Sequence, residues 1–169
     1  MPLYFPFSNR RLLKSLNAVS SNINNSETVA LQALIPAGSW RVGTMIRIDD
    51  LSMTKSGATD TGTIKVRAGP AGTSADTQIF TANALAAANR TWNGAAVMRL
   101  ESATSILPIG GNSGGFQQGT SNSALSAISL GAHDTSTTAT YVSITLASSS
   151  TNDTVALVLG SIWLVDRIG

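Results

Sequence analysis

In Tyr141-Val142-Ser143-Ile144-Thr145-Leu146-Ala147 apolar and polar side chains alternate through Leu146, and this stretch decides the fold class. A period of two places Val142, Ile144 and Leu146 on one face of an extended chain and Tyr141, Ser143 and Thr145 on the other, the pattern of a half-buried β-strand. A polar loop rich in Ser and Thr, residues 131–138, precedes it. The Ser-rich turn 148–152 follows and leads into a long final strand, residues 154–168. There Val155, Leu157, Leu159, Ile162, Leu164 and Ile168, with Ala156, Val158, Trp163 and Val165, leave few polar positions on either face. Such a strand is central between two layers or is half covered by another subunit. The second is expected for at least part of it, with Leu157, Leu159, Ile162, Trp163 and Leu164 as the subunit-interface residues.

The same period recurs upstream. Ile64, Val66 and Ala68 alternate with Lys65 and Arg67, Ile46 and Ile48 with Met45, Arg47 and Asp49, and Ala96, Met98 and Leu100 with Val97, Arg99 and Glu101. Pro36-Ala37-Gly38 and the polar segments 55–61, 69–75 and 110–119 separate these runs with turn chemistry. Only residues 82–89, with their run of alanines, carry internal helical propensity, and they are too few for a crossover helix. About eight or nine strands with no crossover helices make the chain all-β, a β-sandwich of jelly-roll-like form.

Residues 1–26 read differently from the sandwich, residues 27–169. Pro2 and Pro6 bracket Tyr4, Phe5 and Phe7 and oppose regular structure there. Ser8 or Asn9 can then cap a short amphipathic helix, with Leu12, Leu13, Leu16, Val19 and Ile23 at helical spacing and Arg10, Arg11 and Lys14 turned outward. An aromatic and basic arm of this kind is expected to tether the sandwich to a partner, so Tyr4, Phe5, Phe7, Arg10, Arg11 and Lys14 are the candidate attachment residues.

Composition narrows the functional classes. Of 169 residues 43% are hydrophobic and 12% charged, so neutral polar residues solubilise the surface. The formal charge of +2 and an aromatic content of 5% fall short of a nucleic-acid footprint. With no cysteine and one histidine, His133, neither a disulfide nor a transition-metal site is expected, and the scattered aspartates match no calcium loop. No apolar run reaches the roughly 18–20 residues of a membrane span. The N-terminal apolar stretch precedes the basic cluster, the reverse of a signal peptide. Gly111-Asn112-Ser113-Gly114-Gly115 is similar to the motif around a serine-protease nucleophile, but Asn112 replaces its acid and His133 follows rather than precedes Ser113. No enzyme and no cofactor are expected. His133 reads as a solvated loop residue. Trp40 and Trp92, near turns, are the candidate ligand-loop residues, since an exposed tryptophan can stack on a sugar.

The run Ile35-Pro36-Ala37-Gly38-Ser39-Trp40-Arg41-Val42-Gly43-Thr44-Met45-Ile46-Arg47-Ile48 resembles a corner-and-strand pattern of tailed-bacteriophage virion proteins, and Gly62-Thr63-Ile64-Lys65-Val66-Arg67-Ala68-Gly69 and Ala75-Asp76-Thr77-Gln78-Ile79 extend the likeness. The resemblance implies a β-sandwich module of a head decoration or cement protein, head fibre, collar or tail-associated protein, often trimeric. It implies a homo-oligomer, a trimer, made in the host cytoplasm and placed on the virion surface, with a capsid or neck/tail protein as partner. The alternative is a tail-associated receptor- or carbohydrate-binding module that contacts a host glycan through its loops. No membrane partner is expected.

Overall fold

The computed structural model describes residues 10–23, 25–57, 61–82, 91–112, 116–118, 126–149, 151 and 153–166. Tyr4, Phe5, Phe7, Ser113 and the alanine-rich residues 83–89 lie outside them. The described residues form strands and connecting turns, with no helix among them.

The strands are β1 (Arg10–Ser15), β2 (Glu27–Ile35), β3 (Met45–Ser56), β4 (Gly62–Gly69), β5 (Thr77–Ala82) and β6 (Thr91–Ser102). They continue with β7 (Ser105–Asn112), β8 (Phe116–Gln118), β9 (Ile128–Ser129), β10 (Thr140–Ser148) and β11 (Thr154–Val165). Two antiparallel sheets result. Sheet A has the order β1-β11-β3-β6-β7-β9 and sheet B the order β2-β10-β4-β5-β8.

The pairing is nested: β1 pairs with β11, β2 with β10, β3 with β6 and β4 with β5. Folding that nested hairpin over itself brings β11 beside β3 and β10 beside β4. This is a jelly roll, two Greek keys closed into two facing sheets. Between its sixth and seventh strands the chain inserts β7 and β9 at the far side of sheet A and β8 at the far side of sheet B.

Apolar side chains of both sheets meet in one core. Val142, Ile144 and Leu146 from β10, Ile64 and Val66 from β4, Ile46 and Ile48 from β3, and Met98 from β6 are wholly inaccessible. The inward alternation expected from these runs is therefore observed.

At Asp49-Asp50 the alternation breaks. The β3–β6 register shifts between Ile48 and Leu51, and Asp50 adopts a left-handed backbone with φ of 56°, which a short polar side chain tolerates. This bulge turns Leu51, Met53 and Lys55 inward. Lys55, expected in a polar loop, instead ends an inward-facing series.

The N-terminal region also differs from expectation. Residues 10–15, expected to be helical, are the edge strand β1 of sheet A. Leu12, Leu13 and Leu16 fit a helical period, but they fit equally a strand with the bulge seen between Leu12 and Lys14. Pairing decides between them: without β1, one side of β11 would carry unpaired backbone groups. Ser20 and Ile23 continue along β11, Ser20 N–H donating to the Leu157 carbonyl and Ile23 exchanging backbone bonds with Val155. Leu13, Leu16 and Ile23 pack on the core.

Candidate functional site

Each tryptophan expected at a ligand loop is core. Trp40 is 1% exposed and its Nε1 donates to the Thr44 carbonyl at 3.3 Å. Trp92 is 5% exposed, and its ring lies over Gly94, where an added Cβ would fall 2.3 Å from the ring. Neither presents a face for a sugar. His133, read as solvated, is buried and shares a 2.9 Å hydrogen bond with Thr140 Oγ1. Its loop is clamped between two turns, Thr135 N–H donating to the Ala103 carbonyl and Gly38 N–H to the Thr135 carbonyl.

The apolar character of β11 has its main cause inside the chain. Leu157, Ile162 and Leu164 face the core and are at most 3% exposed, so an interface role for these three is corrected to a core role. β11 is flanked by β1 and β3, and its inner face meets sheet B. Leu159 and Trp163 point the other way, Leu159 being 55% exposed and Trp163 half-buried.

Trp163 belongs to a surface on the outer face of sheet A. Ladder neighbours run Leu12–Trp163–Arg47–Val97 across four strands, and Val165–Met45–Arg99 across the next row. Arg10 stacks over the Trp163 ring at 5.1 Å from its centroid and donates to Asp49 Oδ2 at 2.7 Å, while Arg47 Nε donates to the other oxygen at 2.6 Å. Trp163 Nε1 donates to Ser161 Oγ. Around this cluster Leu12, Val42, Ile109 and Leu159 stand exposed, Val42 at 62%. Val42, Met45 and Ile109 line one shallow depression of about 460 Å³ with Arg99 and Glu101. Leu159 lines another with Arg47, Asp49 and Asn93.

Sheet B carries a different outer face. Glu27 accepts from Arg67 through both carboxylate oxygens, from Lys65 Nζ at 2.7 Å and from Thr145 Oγ1 at 2.6 Å. Burial pushes the Glu27 carboxyl up, but the hydrogen bonds from Arg67, Lys65 and Thr145 and the Arg67 charge outweigh it and hold its pKa at about 2. Gln32 Nε2 bridges the Gly72 carbonyl and Ser143 Oγ. Arg67 also donates to the Asp76 carbonyl, and the Asp76 carboxylate accepts from the N–H groups of Ala71 and Gly72. These groups satisfy one another.

A third charged group is internal. Lys55 Nζ donates to Asp153 Oδ2 at 2.6 Å and to the Gly57 carbonyl at 3.1 Å, with both charged side chains at most 2% exposed. Gly57 has φ of 84°, and a Cβ there would sit 1.7 Å from the Asp153 carboxylate, so this corner requires glycine. Sequence reading missed the pair because it counted straight through the bulge. The adjacent aspartates between Ile48 and Leu51 were the available signal.

Of the candidate attachment residues, Arg10, Arg11 and Lys14 are exposed along β1. Arg10 is tied to Asp49 and Trp163, whereas Arg11 and Lys14 form no ion pair with the described residues.

No family model and no curated protein matches the chain. Among solved structures, it is similar to a chain of infectious bursal disease virus, Gx strain, at 11% identity and a TM-score of 0.28, over 93% of this chain and 41% of that one. A likeness of this degree establishes neither kinship nor role.

Proposed function

We propose that the protein is a non-enzymatic structural component of a bacteriophage particle, a trimeric capsid decoration or cement protein or another surface accessory, attached through its N-terminal segment. The observation that carries this reading is the outer face of sheet A. Of the six large apolar side chains exposed among the described residues, Leu12, Val42, Ile109 and Leu159 stand on or beside this face, against Leu34 on sheet B, and grouped apolar side chains among charges favour an assembly surface. The jelly roll is compatible with this role, although fold alone implies no function. The corner Ile35-Pro36-Ala37-Gly38-Ser39 and its following strand supply the bacteriophage setting by resemblance.

Since β1 and Ile23 are integral to the sandwich, the attachment test removes only residues 2–9. The truncated protein should fold and keep its oligomeric state while losing binding to virions stripped of it. Undiminished binding to those virions contradicts attachment through this segment. The burial of Trp40 and Trp92 removes the two tryptophans from a glycan-binding reading, which would then rest on the loops 55–61, 110–119 and 131–138.

A further inference from the structure

We infer that the free edge of β1, with Arg11, Lys14 and Arg41, is a docking seat for an extended acidic segment of a partner protein, added as a strand beside β1. This inference rests on the N-terminal region being the attachment region and specifies what that region recognises.

Three observations converge. First, six described cations are committed: Arg10 and Arg47 to Asp49, Lys55 to Asp153, Lys65 and Arg67 to Glu27, and Arg99 to Glu101. Arg11, Lys14 and Arg41 are the three with no ion pair to a described carboxylate, and they lie on one side of the molecule. Second, Arg11 and Arg41 line the same open depression of about 590 Å³, with Ser39 and Leu164. Lys14 lines a neighbouring one of about 440 Å³ against Val29, Leu31 and Gln32 of β2. Both follow the seam where the edge strands β1 and β2 of the two sheets come together. Third, β1 ends the order of sheet A, and its outer side pairs with no strand among the described residues. It offers backbone donors and acceptors at the spacing that strand addition requires.

Charge selects the occupant. A second copy pairing through the same edge would bring two sets of Arg11 and Lys14 together, and like charges facing across a ladder repel. Nucleic acid would need stacking aromatics beside the cations, whereas the described lining of both depressions is aliphatic or polar. An acidic strand satisfies the backbone edge and the cations together. Asp166, the one carboxylate in the described lining, sits with Arg11 and Arg41 without an ion pair to a described residue, and it disfavours an occupant whose negative charge is concentrated at that end.

The probe is a fluorescent decapeptide alternating Asp and Thr, titrated into the full-length protein, with an alternating Lys-Thr peptide and a single-stranded oligodeoxynucleotide as comparisons. The Asp-Thr peptide should bind, more weakly as salt rises, and its binding should protect β1 amides against hydrogen exchange. The pair Arg11→Ala and Arg41→Ala should weaken it at least tenfold. The pair Lys65→Met and Arg67→Met, on the outer face of sheet B and with the same net charge, should change it less than twofold in protein that circular dichroism shows to be folded. Equal loss in both pairs, unprotected β1 amides, or tighter binding of the oligonucleotide overturns the inference. Virion binding separates the two readings. If removing residues 2–9 abolishes it and the Arg11/Arg41 pair leaves it unchanged, the acidic-strand inference fails while the attachment reading stands. If neither change affects it, the attachment reading fails as well.

Discussion

The two outer faces of this sandwich are built on similar inner faces and finished in opposite ways. On sheet B, Ser143 and Thr145 lie outside the core yet are fully buried, because Glu27, Lys65, Arg67 and Gln32 lie across them and exchange hydrogen bonds. On sheet A the corresponding layer mixes Leu12, Trp163, Met45 and Val97 with the ion pairs of Arg10 and Arg47 to Asp49 and of Arg99 to Glu101, and Val42, Ile109 and Leu159 stand exposed around it. Sheet B covers most of its outer face with mutually bonded polar groups, Leu34 being its exposed large apolar side chain. The other face leaves Leu12, Val42, Ile109 and Leu159 exposed, and these are the side chains that the proposed assembly would cover. Amphipathic alternation fixes which side chains point in, and the chemistry of the outward set is what distinguishes the two outer faces.

The buried pair between Lys55 and Asp153 belongs to neither outer face and sets the scale for both. Lys55→Met should destabilise the fold by about 3–5 kcal/mol, since it strands a buried carboxylate. The double change Lys55→Met with Asp153→Leu should recover most of that loss. Denaturant unfolding checks both, and a double variant no more stable than the single one would mean the pair acts otherwise than as two mutually compensating charges.

On sheet B, Glu27→Gln should cost about 2 kcal/mol by leaving two cations facing a neutral amide, with no change in oligomeric state. Acid titration sharpens the point. The folded pKa of Glu27, about 2, lies below its ordinary value of 4.5, so the unfolded chain takes up the proton first. The stability contributed by Glu27 is complete above about pH 4.5 and is lost as pH falls toward 2. The part of the wild-type stability loss in this window that belongs to Glu27 should be absent from Glu27→Gln in thermal unfolding measured against pH.

Sheet A should give the smallest effect on stability. Val42→Asp or Ile109→Asp, both at exposed positions, should shift unfolding by no more than about 0.5 kcal/mol. The same changes should weaken association at least tenfold. A large loss of stability in the isolated subunit would make this face structural and erase the contrast with sheet B.

Strand placement was legible wherever alternation ran unbroken, as in β4 and β10, because a half-buried strand writes its inner face into every second residue. It failed at positions set by distant pairing. Arg10–Ser15 shows leucines spaced for a helix or a bulged strand, and only β11, far along the chain, decides between them. The bulge at Asp49-Asp50 moved Lys55 from an expected loop into the interior. His133, Trp40 and Trp92 sit near turns, where sequence suggests exposure, but the turns themselves pack on the sheets. The apolar run of β11 was visible, yet its division into a core face and an outer face was not. Two register shifts between Leu157 and Ser161 reset the count. The sequence singled out Arg10, Arg11 and Lys14 as an arm and Leu159 and Trp163 as an interface, and the structure places these side chains at least partly in solvent. Val42, Ile109 and Arg41 emerged only once topology had placed them.

Sedimentation of the purified full-length protein at micromolar concentration tests the central claim most directly. A species three times the mass of the chain is expected, dissociated by Val42→Asp with Ile109→Asp and unaffected by Glu27→Gln. A wild-type monomer at that concentration, or a trimer indifferent to the sheet A substitutions, would contradict it.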